Sequence, residues 1–225
     1  MCPLRVALSE LTMSKTDLPA VVWLLDDEPQ VVESLQWLLQ TVGLETRVIA
    51  STLDLINLPL DQQPGCLLMD VRMPLTSGLD LLQELKKQNI LLPSILMSGH
   101  ADVAMAVRAM KLGALDFFEK PFNDQQLLDS LQAAIALHRQ SLKKQQLLIK
   151  LTQYFAELTE REKQVMQLLI GGVQAKKIAA SLNISPKTVD VHRHNLMQKM
   201  RVNSLAELVH AAMLLELPLA LSVNS

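Results

Sequence analysis

The sequence has few of the residues that build disulfide-bonded, metal-stapled or membrane-spanning proteins. Its 225 residues include only two cysteines, Cys2 and Cys66, which lie far apart and have no histidine partner at metal-binding spacing. They are expected to be unpaired thiols in a reducing compartment. No apolar run approaches the ~18 residues of a membrane span, and polar residues interrupt the apolar ones near the amino terminus. These absences predict a cytoplasmic protein that has no membrane partner.

Aromatic residues are also scarce, at 3%, yet 49% of the residues are hydrophobic and 20% are charged, which is an ordinary globular composition. The length suits two domains that each bury a core. Residues 21–138 hold 15 acidic and 7 basic side chains, whereas residues 139–225 hold 12 basic and 6 acidic ones. This division predicts two domains with different partners, the second partner being nucleic acid. A solvated surface is the alternative explanation.

Short apolar runs alternate with longer amphipathic stretches in the acidic half. Five runs are strand-like, and the first, third and fourth are apolar enough to be buried on both faces. They cover residues 20–25, 45–50, 65–69, 93–97 and 114–118. Helical periodicity separates them, as in residues 28–42. The pattern predicts a doubly wound α/β domain with a five-stranded parallel sheet, whose site lies at the carboxyl ends of the strands.

Polar side chains occur where the predicted strands end. Asp26 and Asp27 follow the first strand, Asp70 the third and Ser98 the fourth, and Lys120 lies just beyond the fifth. Crowded carboxylates repel one another unless a cation lies among them, and hard oxygen ligands suit Mg²⁺. With a lysine and a hydroxyl, the set suits phosphoryl transfer to an oxygen nucleophile. The simpler alternative, that acids favour loop ends and caps, does not explain complementary groups after successive strands.

Four motifs within residues 21–138 carry a resemblance to a known family. They are LLDDE, LLMDVRMPLTSG, ILMSGHAD and GALDFFEKPF, in this order. The segment resembles the receiver domain of two-component response regulators, which implies a flavodoxin-like (βα)5 fold. The resemblance implies that Asp70 is the phosphoacceptor, that Ser98 and Lys120 assist it, and that Ser98 and Phe117 form a switch. The implied Mg²⁺ ligands are Asp26, Asp27, Asp70 and the backbone carbonyl of Arg72. Ser98 stands where relatives more often have threonine, which preserves the hydroxyl.

A long helix is predicted between residues 122 and 157, where no proline or glycine occurs. Leu128, Ile135, Leu142 and Ile149 recur every seven residues. A second apolar column is missing, because Leu131 is followed at the same spacing by histidine, glutamine and threonine. Residues 139–157 are therefore interpreted as a helical linker, with a dimerising coiled coil as the alternative.

The basic half begins with LTEREKQVM, in which Thr159 and Glu162 predict a capping box before an amphipathic helix. A glycine pair at 171–172 is expected to end that helix, and AKKIAASL predicts a second one. A third helix is predicted to begin with Ser185 as N-cap and Pro186 as its first residue. Three short helices with a tight turn before the third indicate an all-α helix-turn-helix domain over residues 158–220.

The third helix is predicted to read DNA. Val189, Leu196 and Met200 form its inward face, and its sequence resembles the recognition helix of LuxR-type output domains of the NarL and FixJ class. In such helices cations bind phosphates and outward side chains read base edges in the major groove. The residues expected to contact DNA are Lys176, Lys177, Lys187, Thr188, Asp190, Val191, His192, Arg193, His194 and Lys199. A plain solvated face is the alternative, but six cations surround this one.

Two positions depart from the family pattern of this output domain. Ala175 falls where asparagine is common, and Asp190 falls where lysine is frequent. Because an acid accepts a hydrogen bond from cytosine N4, the second departure concerns which DNA site is preferred.

Together the two halves predict a phosphorylation-switched transcription factor that is not an enzyme. A sensor histidine kinase would phosphorylate Asp70, and the product would form a homodimer on double-stranded promoter DNA, with RNA polymerase as a further partner. Mg²⁺ is the expected cofactor, and residues 1–20 are an amino-terminal extension. One alternative is a Mg²⁺-dependent phosphohydrolase of the haloacid-dehalogenase type, which needs an acid where this chain has Arg72. Another is a receiver that serves only as an interaction platform, which the intact metal, hydroxyl and lysine positions disfavour.

Overall fold

The computed structural model of the protein describes most of the chain between Leu18 and Pro218. The described residues are 18–49, 54–55, 58, 60, 63–74 and 76–218. They form two compact units whose boundary lies between Lys143 and Lys144. The first unit contains the sheet, and helices build the second. Most of the predicted amino-terminal extension and the last two residues of the predicted output domain lie outside the described residues.

In the described part of the first unit, five parallel strands form one sheet, as the sequence predicts. They are β1 (Val21–Leu25), β2 (Glu45–Val48), β3 (Gly65–Asp70), β4 (Ser94–Ser98) and β5 (Asp116–Glu119). Their order across the sheet is β2-β1-β3-β4-β5. β1, β3 and β4 are buried along their whole length, which explains their nearly continuous apolar sequences. The carboxyl ends of β1, β3 and β4 therefore lie side by side.

Helices cover both faces of this sheet. They are α1 (Pro29–Thr41), α2 (Gly78–Lys87), α3 (Val103–Leu112) and the first part of α4 (Asp124–Ala156). Leu35 of α1 and Leu127 of α4 are buried in one apolar cluster, and Leu81 of α2 and Ala109 of α3 are buried in another. Since alternate side chains of a strand point to opposite faces, the central strands contribute to both clusters.

The beginning of β3 is shaped by a glycine packed against an aromatic ring. A Cβ at Gly65 would overlap the ring of Trp23 and the carbonyl oxygen of Val21, so no other residue fits here without displacement. The N–H of Gly65 donates a hydrogen bond to Nδ1 of His138, at 3.0 Å. His138 is a buried residue of α4. This bond attaches the long helix to the start of a central strand.

The helix α4 continues over 33 residues, which confirms the predicted uninterrupted helix. Leu128, Ile135 and Leu142 of its seven-residue column are buried, but Ile149 is 52% exposed. The column is therefore a packing face only over its first three members. Despite this length, neither α4 nor any other helix in the described ranges is apolar enough to cross a membrane.

Four helices follow α4 in the described part of the second unit. They are α5 (Glu160–Ile170), α6 (Ala175–Ser181), α7 (Pro186–Lys199) and α8 (Leu205–Leu214). The predicted capping box of Thr159 and Glu162 is present, and Ser185 caps α7 as predicted. The sequence pattern predicts the first three of these helices but not α8. A local signal is present in the sequence, since Ser204 stands three positions before Glu207. In the structure the hydroxyl of Ser204 caps α8 by accepting a hydrogen bond from the N–H of Glu207.

The inward face of α7 packs as the sequence predicts. Val189, Leu196 and Met200 are at most 1% exposed. They belong to one apolar cluster with Ile178 of α6 and with half-buried residues of the following turn. Asn183 lies in that turn with φ at 53°, in the left-handed region that asparagine tolerates. This packing leaves the opposite face of α7 exposed to solvent.

Candidate functional site

Three charged side chains meet where β1, β3 and β5 end. Asp26 directly follows β1, Asp70 is the last residue of β3, and Lys120 directly follows β5. The Nζ of Lys120 lies 2.7 Å from Oδ2 of Asp26 and 2.9 Å from Oδ1 of Asp70. The exposed fractions of the side chains are 13% for Lys120, 0% for Asp26 and 7% for Asp70. One lysine thus binds two carboxylates in a position shielded from solvent.

Burial and the lysine act in opposite directions on this cluster. Burial raises the pKa of Asp70, and hydrogen bonds from Lys120 and from the backbone N–H of Arg72 limit that rise. Burial by itself would lower the pKa of Lys120, but the hydrogen bonds to Asp26 and Asp70 outweigh burial and raise it. The lysine therefore remains protonated and favours the ionised form of Asp70. Because acids outnumber the lysine, negative charge is in excess.

A third carboxylate approaches the same cluster. Carboxylate oxygens of Asp26, Glu28 and Asp70 lie within 4.8 Å of one another, and Oε1 of Glu28 is 3.4 Å from Nζ of Lys120. Such a set of hard oxygen donors can hold a metal ion. Asp27 is exposed, and within the described residues it does not belong to this group. Glu28 was not among the predicted ligands, and its only signal in the sequence is its place as the third acid of LLDDE.

The two predicted switch residues lie on neighbouring strands. Ser98 ends β4 and is 1% exposed, and its hydroxyl accepts a hydrogen bond from the N–H of His100 at 3.2 Å. Its carbonyl accepts the backbone N–H of Lys120 at 2.8 Å. Phe117 of β5 packs on the cluster that contains α2 and α3, and Phe118 packs on the opposite cluster. Both phenylalanines are thus partly buried, on different faces of the sheet.

The outward face of α7 and the nearby part of α6 present most of the residues predicted to contact DNA. The exposed ones are Lys176, Lys177, Lys187, Asp190, Val191, Arg193 and His194, and the half-buried ones are Thr188, His192 and Lys199. A groove of about 640 Å³ runs beside this face and continues to residues 201–203, which follow α7. The second unit therefore offers an open surface that is rich in cations.

Lys199 differs from the other predicted DNA contacts. Its Nζ lies 2.7 Å from Oε2 of Glu162, and the same oxygen accepts the N–H of Thr159 at 2.8 Å. Glu162 is 3% exposed. Burial by itself would raise the pKa of Glu162, but the hydrogen bonds from Lys199 and Thr159 outweigh burial and lower it. The ammonium of Lys199 therefore compensates an internal carboxylate.

Both units match known protein families. Residues 22–132 match the family described as response regulator receiver domain, and residues 156–212 match the family described as bacterial regulatory proteins, luxR family. The response regulator protein TodT of Pseudomonas putida is 40% identical over 194 residues, which cover 86% of this chain and 86% of TodT. The transcriptional regulatory protein FixJ of Azorhizobium caulinodans is 42% identical over 195 residues, which cover 86% of this chain and 92% of FixJ.

The solved structure of the response regulator StyR has a TM-score of 0.78 with this chain at 39% identity, and the match covers 87% of this chain and 99% of StyR. A parallel sheet with clustered acids and a lysine, followed by a helix-turn-helix unit, defines a response regulator with a DNA-binding output domain. This chain belongs to that family, with a receiver followed by a LuxR-type output domain. The fold class and the function as a two-component transcriptional regulator are thereby confirmed.

Proposed function

We propose that Asp70 is the phosphoacceptor and that a sensor histidine kinase supplies the phosphoryl group. The supporting observation is the shielded cluster in which Lys120 binds both Asp70 and Asp26. In the transfer a carboxylate oxygen of Asp70 attacks phosphorus, and the bond from phosphorus to the kinase histidine nitrogen breaks, so that this nitrogen leaves with the bonding electron pair. Lys120 compensates the incoming charge, since its ammonium already lies 2.9 Å from Asp70.

The test is to label the Asp70→Asn protein with acetyl phosphate or a kinase in the presence of Mg²⁺. Labelling should be lost, because the amide keeps the shape of the carboxylate but its neutral oxygen is a poor nucleophile. Asp80→Asn is the matched control, since Asp80 is an exposed acid of the first turn of α2. Undiminished labelling of Asp70→Asn would overturn the assignment.

We also propose Mg²⁺ as the cofactor of this cluster. Asp26, Glu28 and Asp70 supply hard oxygen donors that lie close together, and the family resemblance adds Asp27 and the backbone carbonyl of Arg72. Bound Mg²⁺ would neutralise charge on the oxygens of the transferred phosphoryl group. The carboxylates of Asp26, Glu28 and Asp70 also hold Lys120 in place.

Calorimetric titration with Mg²⁺ tests the two exposed acids separately. Asp27→Ala should weaken binding if the resemblance identifies the ligands, and Glu28→Ala should weaken it if the observed clustering of carboxylates does. We expect both variants to bind Mg²⁺ more weakly than the parent while circular dichroism stays unchanged. An unaltered titration removes the substituted residue from the ligand set.

We propose that Ser98 and Phe117 relay the modification. A phosphoryl group on Asp70 would offer new acceptor oxygens to the hydroxyl of Ser98, which ends the strand next to β3. Phe117 lies on the following strand and would repack as that hydroxyl moves. The altered receiver surface would favour a homodimer on paired half-sites, where contact with RNA polymerase would follow. In this proposal the receiver covers residues 21–138, the linker 139–157 and the output domain 158–220.

The DNA-binding proposal divides the output residues into two groups. Lys176, Lys177, Lys187 and Arg193 would bind phosphates, while Asp190, Val191 and His194 would face base edges, flanked by Thr188 and His192. Binding selections on randomised DNA with Asp190→Ala and Lys187→Ala compare the groups. Asp190→Ala should change the preferred base pairs by about 1–3 kcal/mol, whereas Lys187→Ala should weaken binding to all sequences alike. The reverse outcome would mean that α7 docks differently.

For Lys199 the proposal is narrower than the sequence expectation. Its ammonium is bound to the buried Glu162, so we assign it to the stability of the output domain and not to a DNA phosphate.

We further propose that the chain is not an enzyme, because Arg72 occupies the place of the acid that a haloacid-dehalogenase-like phosphohydrolase needs. Action on chromosomal promoters supports a cytoplasmic location.

A further inference from the structure

We propose that Arg201 contacts a DNA phosphate and that Tyr154 is the positioning residue for its guanidinium group. The guanidinium carbon of Arg201 lies over the Tyr154 ring, 4.7 Å from the ring centre, which is within the range of cation–π attraction. Tyr154 belongs to the last turn of α4 and to the second unit. The inference rests on the proposed docking of α7 on DNA, and it adds a contact from outside that helix.

Arg201 occupies the turn that directly follows α7. Its φ of 54° is left-handed, and its N–H donates to the carbonyl of Gln198 at 3.1 Å, which terminates the helix. Met200 on one side of it is 1% exposed, and Val202 on the other side packs against the same apolar cluster. The backbone of this turn is therefore anchored while the side chain of Arg201 is exposed.

The charge of Arg201 is available to a ligand. Among the described residues no carboxylate lies within ion-pair distance of it, in contrast to Lys199, which is bound to Glu162. The groove beside α7 is lined by Arg201, Arg193 and His194, with Asp190 as its only acid among the lining residues. A surplus of cations beside a base-reading face is what a phosphate backbone requires.

The ring of Tyr154 restricts the orientation of the Arg201 guanidinium group. A guanidinium group that stacks on a ring keeps its N–H donors at its edge, where they can bind phosphate oxygens. An arginine that is already held in place loses less conformational freedom when it binds. Removal of the ring should therefore weaken DNA binding through Arg201 alone, without changing base preference.

The neighbouring residue provides a matched control. The ring of Phe155 lies 5.6 Å from Nζ of Lys163, which also forms an ion pair with Glu160 at 2.8 Å. Lys163 and Glu160 belong to α5, and neither lines the groove beside α7. Phe155→Leu thus removes a similar cation–ring pair from the same helical turn without touching the proposed contact.

The first experiment measures binding of the full-length protein to a fluorescently labelled mixed-sequence duplex by anisotropy, over a range of salt concentrations. Arg201→Ala should bind about tenfold more weakly. The slope of log affinity against log salt, which is negative, should become less steep by about one. Tyr154→Leu should weaken binding about two- to fivefold. Tyr154→Phe, which keeps the ring, and Phe155→Leu should both bind like the parent.

The second experiment places Tyr154→Leu in the Arg201→Ala background. No further loss of affinity is expected, because the ring acts through the arginine. An equal loss in both backgrounds, or an equal loss in Phe155→Leu, would show that Tyr154 acts by packing and would overturn the proposal. An Arg201→Ala protein with the affinity and slope of the parent would also overturn it. If Lys187→Ala had no effect either, the docking of α7 itself would be rejected.

Discussion

The receiver and the output domain each set a lysine against a buried carboxylate, with opposite consequences. Lys120 faces three carboxylates, and the pKa of Asp70 among them is raised by burial. Lys199 faces Glu162 alone, whose burial is outweighed by hydrogen bonds that lower its pKa. A raised carboxylate pKa lowers the stability of the fold at neutral pH, whereas a lowered one increases it. The first arrangement preserves a reactive acid at the expense of stability, and the second stabilises a small domain.

The loss of Lys120 should have the largest effect on stability. Lys120→Ala leaves Asp26 and Asp70 buried without a counter-charge, so the free energy of unfolding of the receiver should fall by about 3 kcal/mol in EDTA. Mg²⁺ should restore much of it, because a divalent cation can replace the ammonium group. Urea unfolding followed by tryptophan fluorescence measures the effect, since both tryptophans, Trp23 and Trp37, lie in the receiver. Equal stability of parent and variant in EDTA would contradict the expected coupling.

The loss of Lys199 should have a smaller effect that Mg²⁺ does not reverse. Lys199→Ala leaves Glu162 buried without a counter-charge. Because the lysine is one-third exposed, we expect the free energy of unfolding of the output domain to fall by about 2 kcal/mol. Far-UV circular dichroism during urea unfolding detects this loss. The unfolding transition followed by tryptophan fluorescence should stay unchanged, because both tryptophans lie in the receiver.

The same variant also sharpens the assignment of Lys199. Below its unfolding temperature, Lys199→Ala should keep the salt dependence of DNA binding. Lys187→Ala should instead make the slope of log affinity against log salt less steep by about one. A less steep slope for Lys199→Ala would restore this residue to the phosphate contacts that the sequence predicts.

The smallest expected effects are two opposite responses to acid. Glu162 has a lowered pKa in the folded chain, so its stabilisation is complete above the unfolded pKa and is lost as the pH falls through the folded pKa. Asp70 has a raised pKa, so its destabilisation is complete above the folded pKa and disappears as the pH falls through the unfolded one. As the pH falls, Glu162 therefore lowers the free energy of unfolding, whereas Asp70 raises it.

Neutral isosteres measure these responses in the absence of Mg²⁺. At neutral pH Glu162→Gln should lose about 1 kcal/mol of unfolding free energy, and Asp70→Asn should gain about 1 kcal/mol. Both differences should shrink in acid. Stability measured by urea unfolding at several pH values gives both curves. If both variants gained stability, or both lost it, the two carboxylates would not act in opposite directions.

The sequence predicts the parts of this molecule that depend on local signals. The strands β1, β3 and β4 are recognisable because burial on both faces requires continuous apolar runs. The cap of α5 is recognisable because Thr159 and Glu162 are three positions apart. Asp70 and Lys120 could be placed together because parallel strands end at one edge of a sheet.

The remaining contacts depend on packing between distant segments. Glu162 and Lys199 are 37 positions apart and lie on two helices, so the spacing of residues in the chain carries no signal for their pairing. Glu28 reaches the cluster, although Asp27 matches the family motif better. Such choices follow from side-chain direction in a loop, which neither composition nor periodicity determines.

The bond between Gly65 and His138 has a spectroscopic consequence. Because Nδ1 of His138 accepts the amide proton of Gly65, the neutral imidazole must carry its own proton on Nε2. The two tautomers have distinct nitrogen chemical shifts in nuclear magnetic resonance. The ring of His138 is therefore a built-in reporter of whether α4 remains attached to β3, and its tautomer can be followed as the receiver is phosphorylated.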